Sequence, residues 1–186
     1  MQILRKVLFR SKLILLLTCG LVFLTAQNPK VEHYQIKAAY VFNFTQFIEW
    51  PASAFTQEEE PLVIGILGKD PFDSYLEQLV AGEKVIAHPI LVKRFNSIAE
   101  VSSHILFINE EDPKVLNEIL ASLKGRSILT ISDTPGFIQQ GGMIRFITVN
   151  KKIQFQINPD ALKEVDLTIS SKVLRLAQIV IPEQKR

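Results

Sequence analysis

Twice in this chain a strand-like run ends in an Asp-Pro step and gives way to a helical stripe. Leu62 to Leu67 is continuously apolar and rich in β-branched residues. Gly68-Lys69-Asp70-Pro71 follows it, then Phe72, Leu76, Leu79 and Val80 at helical spacing, with Gly82 as the stop. His104 to Asn109 is followed by Asp112-Pro113, then by Val115, Leu116, Ile119, Leu120 and Leu123, with Gly125 as the stop. An unbroken apolar strand fits a sheet covered on both faces. Asp at the N-cap with Pro at the first helical position starts a helix, and Gly ends one. A strand within Val85–Phe95, edged by Pro89, and another over Ser127–Ser132 complete the order strand, helix, strand, strand, helix, strand. That order predicts right-handed crossovers on a mostly parallel sheet flanked by helices, an α/β fold.

After Ser132 the period changes. Gly136, Gly141 and Gly142 frame a short loop that also carries Phe137, Ile138 and Gln140. Ile144, Phe146 and Thr148 then alternate with Arg145 and Ile147, and Ile153, Phe155 and Ile157 alternate with Lys152, Gln154 and Gln156. Asn150-Lys151 between them predicts a two-residue turn and an antiparallel hairpin near the C-terminus. A last helix from Ser170 is expected to pack through Val173, Leu174, Leu176, Ala177 and Val180.

Upstream, residues Val31 to Trp50 read as a helix ended by Pro51. Tyr34, Ala38, Val41, Thr45 and Ile48 form one stripe. Tyr40, Phe44 and Phe47 form a second, about 120° around the cylinder. A helix packed on one side needs one stripe. This one is either wrapped by the core on two sides or presents aromatics to another chain. Thr56 to Pro61 is an acidic connection.

The first segment is of another kind. Arg5, Lys6, Arg10 and Lys12 precede an apolar run from Leu13 to Leu24, and Thr25-Ala26 follow. Such a run is shorter than the ~20 residues of a spanning helix and has the layout of a secretory signal peptide. Residues 1–26 are therefore expected to be removed near Ala26, leaving 27–186 as one domain in the periplasm. Removal leaves 17 basic residues against 19 acidic, a balance of −2, so nothing electrostatic favours a nucleic-acid partner. Cys19 is the only cysteine. The mature chain has no disulfide, no thiolate metal site and no Cys nucleophile.

Catalytic patterns are missing. His33, His88 and His104 lack metal-ligand spacing. Gly65 and Gly68 complete neither a dinucleotide fingerprint nor a P-loop, and no cofactor is expected. Ser132, Asp133 and His104 make a conceivable hydrolytic set without the G-x-S-x-G elbow. Asp133, at a strand end, is placed to cap the Thr134-Pro135-Gly136 turn or to meet a ligand. Arg175 interrupts the last helix and pairs with a carboxylate or holds an anion. The Gly136–Gly142 loop offers backbone N–H groups and an aromatic anchor, unless Phe137 folds back as a lid on the core.

Taken in order, these segments resemble the YfiR family, a domain family long labelled as of unknown function. The resemblance rests on Ile36-Lys37-Ala38-Ala39-Tyr40, Phe42-Asn43-Phe44, Phe47-Ile48-Glu49-Trp50-Pro51, Ile66-Leu67-Gly68 and Asp70-Pro71-Phe72. It continues through His104–Ile108, Ile128–Asp133, Gly136-Phe137, Gly141–Ile144, Phe155–Asn158, Ile169–Lys172 and Leu174–Ala177. It implies a compact α/β fold, a non-enzymatic periplasmic regulator and a tendency to form homodimers. The implied partner is the periplasmic sensor domain of a membrane diguanylate cyclase, held inactive to lower cyclic-di-GMP and biofilm formation. Tyr40, Phe44 and Phe47, with Phe137, Gln140, Gly141 and Gly142, are the expected contact residues. The alternative is a small-ligand sensor module of another system such as a histidine kinase, binding at Gly68, Asp133, Gly141 or Arg175. Characterised members resemble one another in having disulfide-forming cysteines; the mature chain departs from that pattern, which excludes redox control here.

Overall fold

The computed structural model describes residues 29–57 and 59–182. The expected signal segment and its cleavage point lie outside the described residues. In chain order the elements are α1 (Pro29–Phe47), β1 (Ile48–Glu49), β2 (Leu62–Gly68), α2 (Tyr75–Val80), β3 (Lys84–Val85), β4 (His88–Phe95), β5 (Ile105–Asn109), α3 (Pro113–Ser122), β6 (Leu129–Ser132), β7 (Ile144–Val149), β8 (Lys152–Ile157), α4 (Pro159–Lys163), β9 (Thr168–Ile169), α5 (Ser171–Leu174) and β10 (Gln178–Ile179). Short 3-10 turns cover Ala52–Ala54, Ile98–Glu100 and Ile138–Gln140.

One eight-stranded sheet has the order β10-β8-β7-β6-β5-β2-β4-β3. β4, β2, β5, β6 and β7 run parallel, and β7–β8 is the antiparallel hairpin that its alternation predicted. Asn150 and Lys151 both have positive φ, the geometry whose twist matches a two-residue hairpin. Alternate residues of the central strands feed two cores. Ile64, Ile66, Ile105, Phe107, Leu129 and Ile131 face α1 and α2. Leu67, Leu106 and Ile108 face α3. The molecule from His33 onward is thus a helix–sheet–helix sandwich with an α/β fold.

Where local chemistry is decisive the expected boundaries hold. The Asp112 carboxylate accepts from the Lys114 and Val115 N–H groups at the start of α3, and Gly125 takes φ +74° just past its end. At the first Asp-Pro step the outcome differs. Asp70 accepts from the Phe72 N–H, but Asp73 adopts φ +50° and helix α2 begins only at Tyr75. Asp70 therefore caps a turn, not the helix. The first helix stops three residues short of Trp50, because Ile48 and Glu49 extend to pair antiparallel with Ile169 and Thr168. The closing helix is a single turn, α5. Beyond it β-branched Ile179, Val180 and Ile181 precede Pro182 and favour extended backbone; β10 accordingly joins the sheet beside β8.

Candidate functional site

The second aromatic stripe of α1 is core. Phe44 is buried, and its ring lies 5.5 Å from that of Phe155 and 6.3 Å from that of Phe146. Tyr40, half-buried, sits 5.3 Å from Phe155 and 6.0 Å from Phe146. The hairpin supplies the second wall, so the helix is wrapped on two sides. Phe44 is therefore unavailable as the contact expected of it, and only Phe47, 36% exposed, keeps an outward ring.

The glycine loop has a similar inward purpose. Phe137 is 0% exposed and packs with Leu67, Leu106 and Leu116 under α3. A Cβ on Gly142 would clash with the edge of the Phe137 ring, and the Gly142 N–H donates to the Phe137 carbonyl at 2.9 Å. Gly142 is thus the space in which the lid closes, not a surface for a partner. Gly141, in left-handed geometry at φ +97°, is exposed, and Gln140 is half-buried. Gly65 lies mid-strand, where a Cβ would approach Leu106 and Phe95 to 2.9 Å; close packing, not a phosphate or a turn, accounts for it.

Asp133 does not cap the following turn. The Ser132 hydroxyl accepts the Thr134 N–H instead. The Asp133 carboxylate reaches α1, where it accepts from Lys37 Nζ at 2.5 Å and from the Tyr34 hydroxyl at 3.1 Å. Lys37 is 8% exposed, and its ammonium lies 4.2 Å from the centre of the Tyr34 ring. Burial first, and the neighbouring Asp133 charge second, push the Tyr34 hydroxyl up to about 12. In the sequence Lys37 stands out only as part of the family segment Ile36–Tyr40, with no role of its own. The available signal was a lysine three residues after Tyr34, hence on the same helix face, inside an apolar stripe that must bury it.

At the C-terminal edge the surface turns apolar. Leu176, Ile179 and Ile181 are exposed, Leu176 to 74%. β10 is the last strand in the order, so among the described residues one of its edges is unpaired. Arg175 caps α5 and is exposed. Phe47 lies beside the start of α5, where its carbonyl accepts the Ser170 N–H.

A family profile described as YfiR/HmsC-like matches residues 34–178. The chain belongs to the YfiR/HmsC-like family. No curated protein matches it. Family membership fits a periplasmic regulator of diguanylate cyclase signalling that works with a membrane partner.

In this YfiR/HmsC-like chain the match begins at Tyr34, in the Asp133 cluster, and ends at Gln178, in the edge strand. The hydrolytic set does not assemble. His104 precedes β5 and Ser132 ends β6, and the pairing of Ile105 with Leu129 puts them about 13 Å apart along the strands. The Ser132 hydroxyl donates to the Ile108 carbonyl. His104 Nδ1 accepts the Val63 N–H at 3.0 Å, so its Nε2 carries the proton and donates to the Ala54 carbonyl at 3.1 Å. Its ring stacks on Phe55, which stacks in turn on His88. These bonds describe a structural histidine. Among the described residues no group of His, Cys, Asp and Glu is arranged to hold a metal, and no helix is long and apolar enough to cross a membrane.

Proposed function

We propose that this protein is an exported regulator that binds the periplasmic sensor domain of an inner-membrane diguanylate cyclase and holds it inactive. Family membership over residues 34–178 carries the reading. The mechanism is differential affinity: gripping the inactive arrangement more tightly than the active one shifts the population towards it, and no bond need be made or broken. The surface that suits this task is the β10 edge, open among the described residues, with the exposed Leu176, Ile179 and Ile181 on and around it. An unpaired edge offers backbone N–H and C=O groups for strand addition, and exposed apolar side chains give the pairing its register. The resemblance also implies a homodimer, which the mass in solution checks directly.

Deleting the gene tests the reading. Cellular cyclic-di-GMP should rise, and tagged protein should bring the cyclase out of solubilised membranes. Unchanged cyclic-di-GMP together with failure to capture any membrane signalling protein sinks the proposal. Turnover of a substrate by the purified protein would do so as well.

A further inference from the structure

We propose a second, separate site on this molecule: a small-molecule crevice outside the carboxyl ends of β2, β4 and β5, shaped for a ligand with an apolar body and a cationic, hydrogen-bond-donating head. The sheet order makes the crevice. From β2 the chain crosses by α2 to β4 on one side; from β5 it crosses by α3 to β6 on the other. β2 and β5 are adjacent and parallel, yet their exits run in opposite directions. Such a switch point opens a gap beyond the strand ends, the usual place for a ligand in an α/β sheet. Here the gap lies between α3 and the 3-10 turn Ile98–Glu100 and holds about 350 Å³, within the ~300–1,000 Å³ of ligand pockets.

Its lining states the chemistry. Leu67, Ile98, Val115 and Ile119 give apolar walls. Asn96, Ser97 and Asn109 add hydrogen-bonding groups, and among the described residues the lining includes Glu110 and Glu118 but no lysine or arginine. One Glu110 oxygen accepts the Asp112 N–H. Neither glutamate belongs to a salt bridge among the described residues. An anion would meet two carboxylates in the lining itself, where an amine would meet acceptors; Lys69 and Lys114 flank the lining in sequence without belonging to it. The floor is preformed. The Asn109 side-chain amide donates to the Lys69 carbonyl at 2.6 Å, tying the two strand ends together. Gly68, at φ +90°, has no room for a Cβ against the Asn109 carbonyl.

The test uses three probes of one size and different charge: 2-phenylethylamine, 2-phenylethanol and phenylacetate, titrated into the purified protein and followed by backbone amide NMR. The amine should give saturable shifts at Gly68, Asn109 and Ser97, with the alcohol weaker and phenylacetate silent. Glu118→Gln should weaken the amine about fivefold, the upper range for an exposed ion pair. Ser97→Trp and Ser122→Trp, exposed positions on opposite lips, should each abolish its binding. Phenylacetate binding as well as the amine overturns the proposal. So does the absence of saturable binding by all three probes, or retention of amine binding in whichever tryptophan variant keeps the native spectrum. The crevice is remote in sequence from the β10 edge, so cyclase capture and amine binding can each fail while the other survives.

Discussion

A lysine that is 8% exposed on an apolar helix face has to be answered by an acid, and Asp133 answers it from the far end of β6. Removing one partner of such a pair leaves the other charged and buried, which costs about 3–5 kcal/mol where burial is complete. Asp133 keeps about a fifth of its side chain exposed, so Asp133→Ala belongs at the lower end of that range. Equilibrium urea unfolding measures it. Tyr34 reports the same cluster optically. Its folded-state value is raised from 10.0 to about 12, so the folded protein keeps a proton that the unfolded chain releases. The associated stability is intact below pH 10 and is lost as pH rises from 10 towards 12. Tyrosinate absorbance should therefore show a late-titrating component that belongs to Tyr34. Asp133→Asn should bring that titration down without restoring it to 10, because burial, the larger cause, remains.

At the level of elements, α1 and the β7–β8 hairpin are joined by aromatic rings more than a hundred residues apart in sequence. Phe44→Ala should cost about 3–5 kcal/mol, as core Phe truncations do. Phe155→Ala should be less harmful in that background than alone, because both remove the same contact. Gly142→Ala should destabilise comparably by expelling the Phe137 ring, and Phe137→Leu should partly rescue it; thermal melts of the single and double variants decide this. Elements whose signals are local were legible in the sequence: the α3 cap at Asp112, the Asn150-Lys151 turn, the alternation of the hairpin and the continuous apolar run of β2. The aromatic stripe was legible too, but its partner was not, since periodicity states that a face is buried and not against what. The α5 helix is shorter than its pattern suggests because a stretch of Val, Leu and Ala reads as helical until a sheet edge offers it hydrogen bonds. Of the expected contact residues, Phe44 and Phe137 proved to be core for one reason: a large aromatic beside a glycine or on a second stripe looks the same whether it docks a partner or its own sheet. The role of Lys37 went unread because a charge inside an apolar pattern has meaning only once its counter-charge is located.

On the scale of the whole molecule, the two ends of the sheet are built differently. The carboxyl end is open, with the β2–β5 switch point and its crevice. The amino end is closed by the segment from Trp50 to Phe55, where the Trp50 indole N–H donates to the His104 carbonyl and His104 bonds β2 on one side and the Ala52–Ala54 turn on the other. That closure makes global stability depend on acid. Burial holds His104 below its ordinary 6.5, opposed by the Ala54 bond and the Glu60 charge, while His88 pushes the same way as burial. Below pH 6.5 the unfolded chain therefore binds a proton that the folded one refuses, and the equilibrium moves towards unfolding. Stability from this residue is fully present above 6.5 and falls as pH drops through the lowered folded-state value; once both states are protonated the loss stops growing. Protonation would also put an N–H on Nδ1, opposite the Val63 N–H, so the cost is a broken β2 contact as well as a buried charge. Denaturant midpoints measured from pH 7.5 to 5 should decline, and His104→Asn, which keeps an acceptor for Val63 without a titrating ring, should flatten the decline while lowering the neutral-pH plateau. An unchanged slope in that variant would move the acid sensitivity elsewhere and leave His104 with a packing role alone.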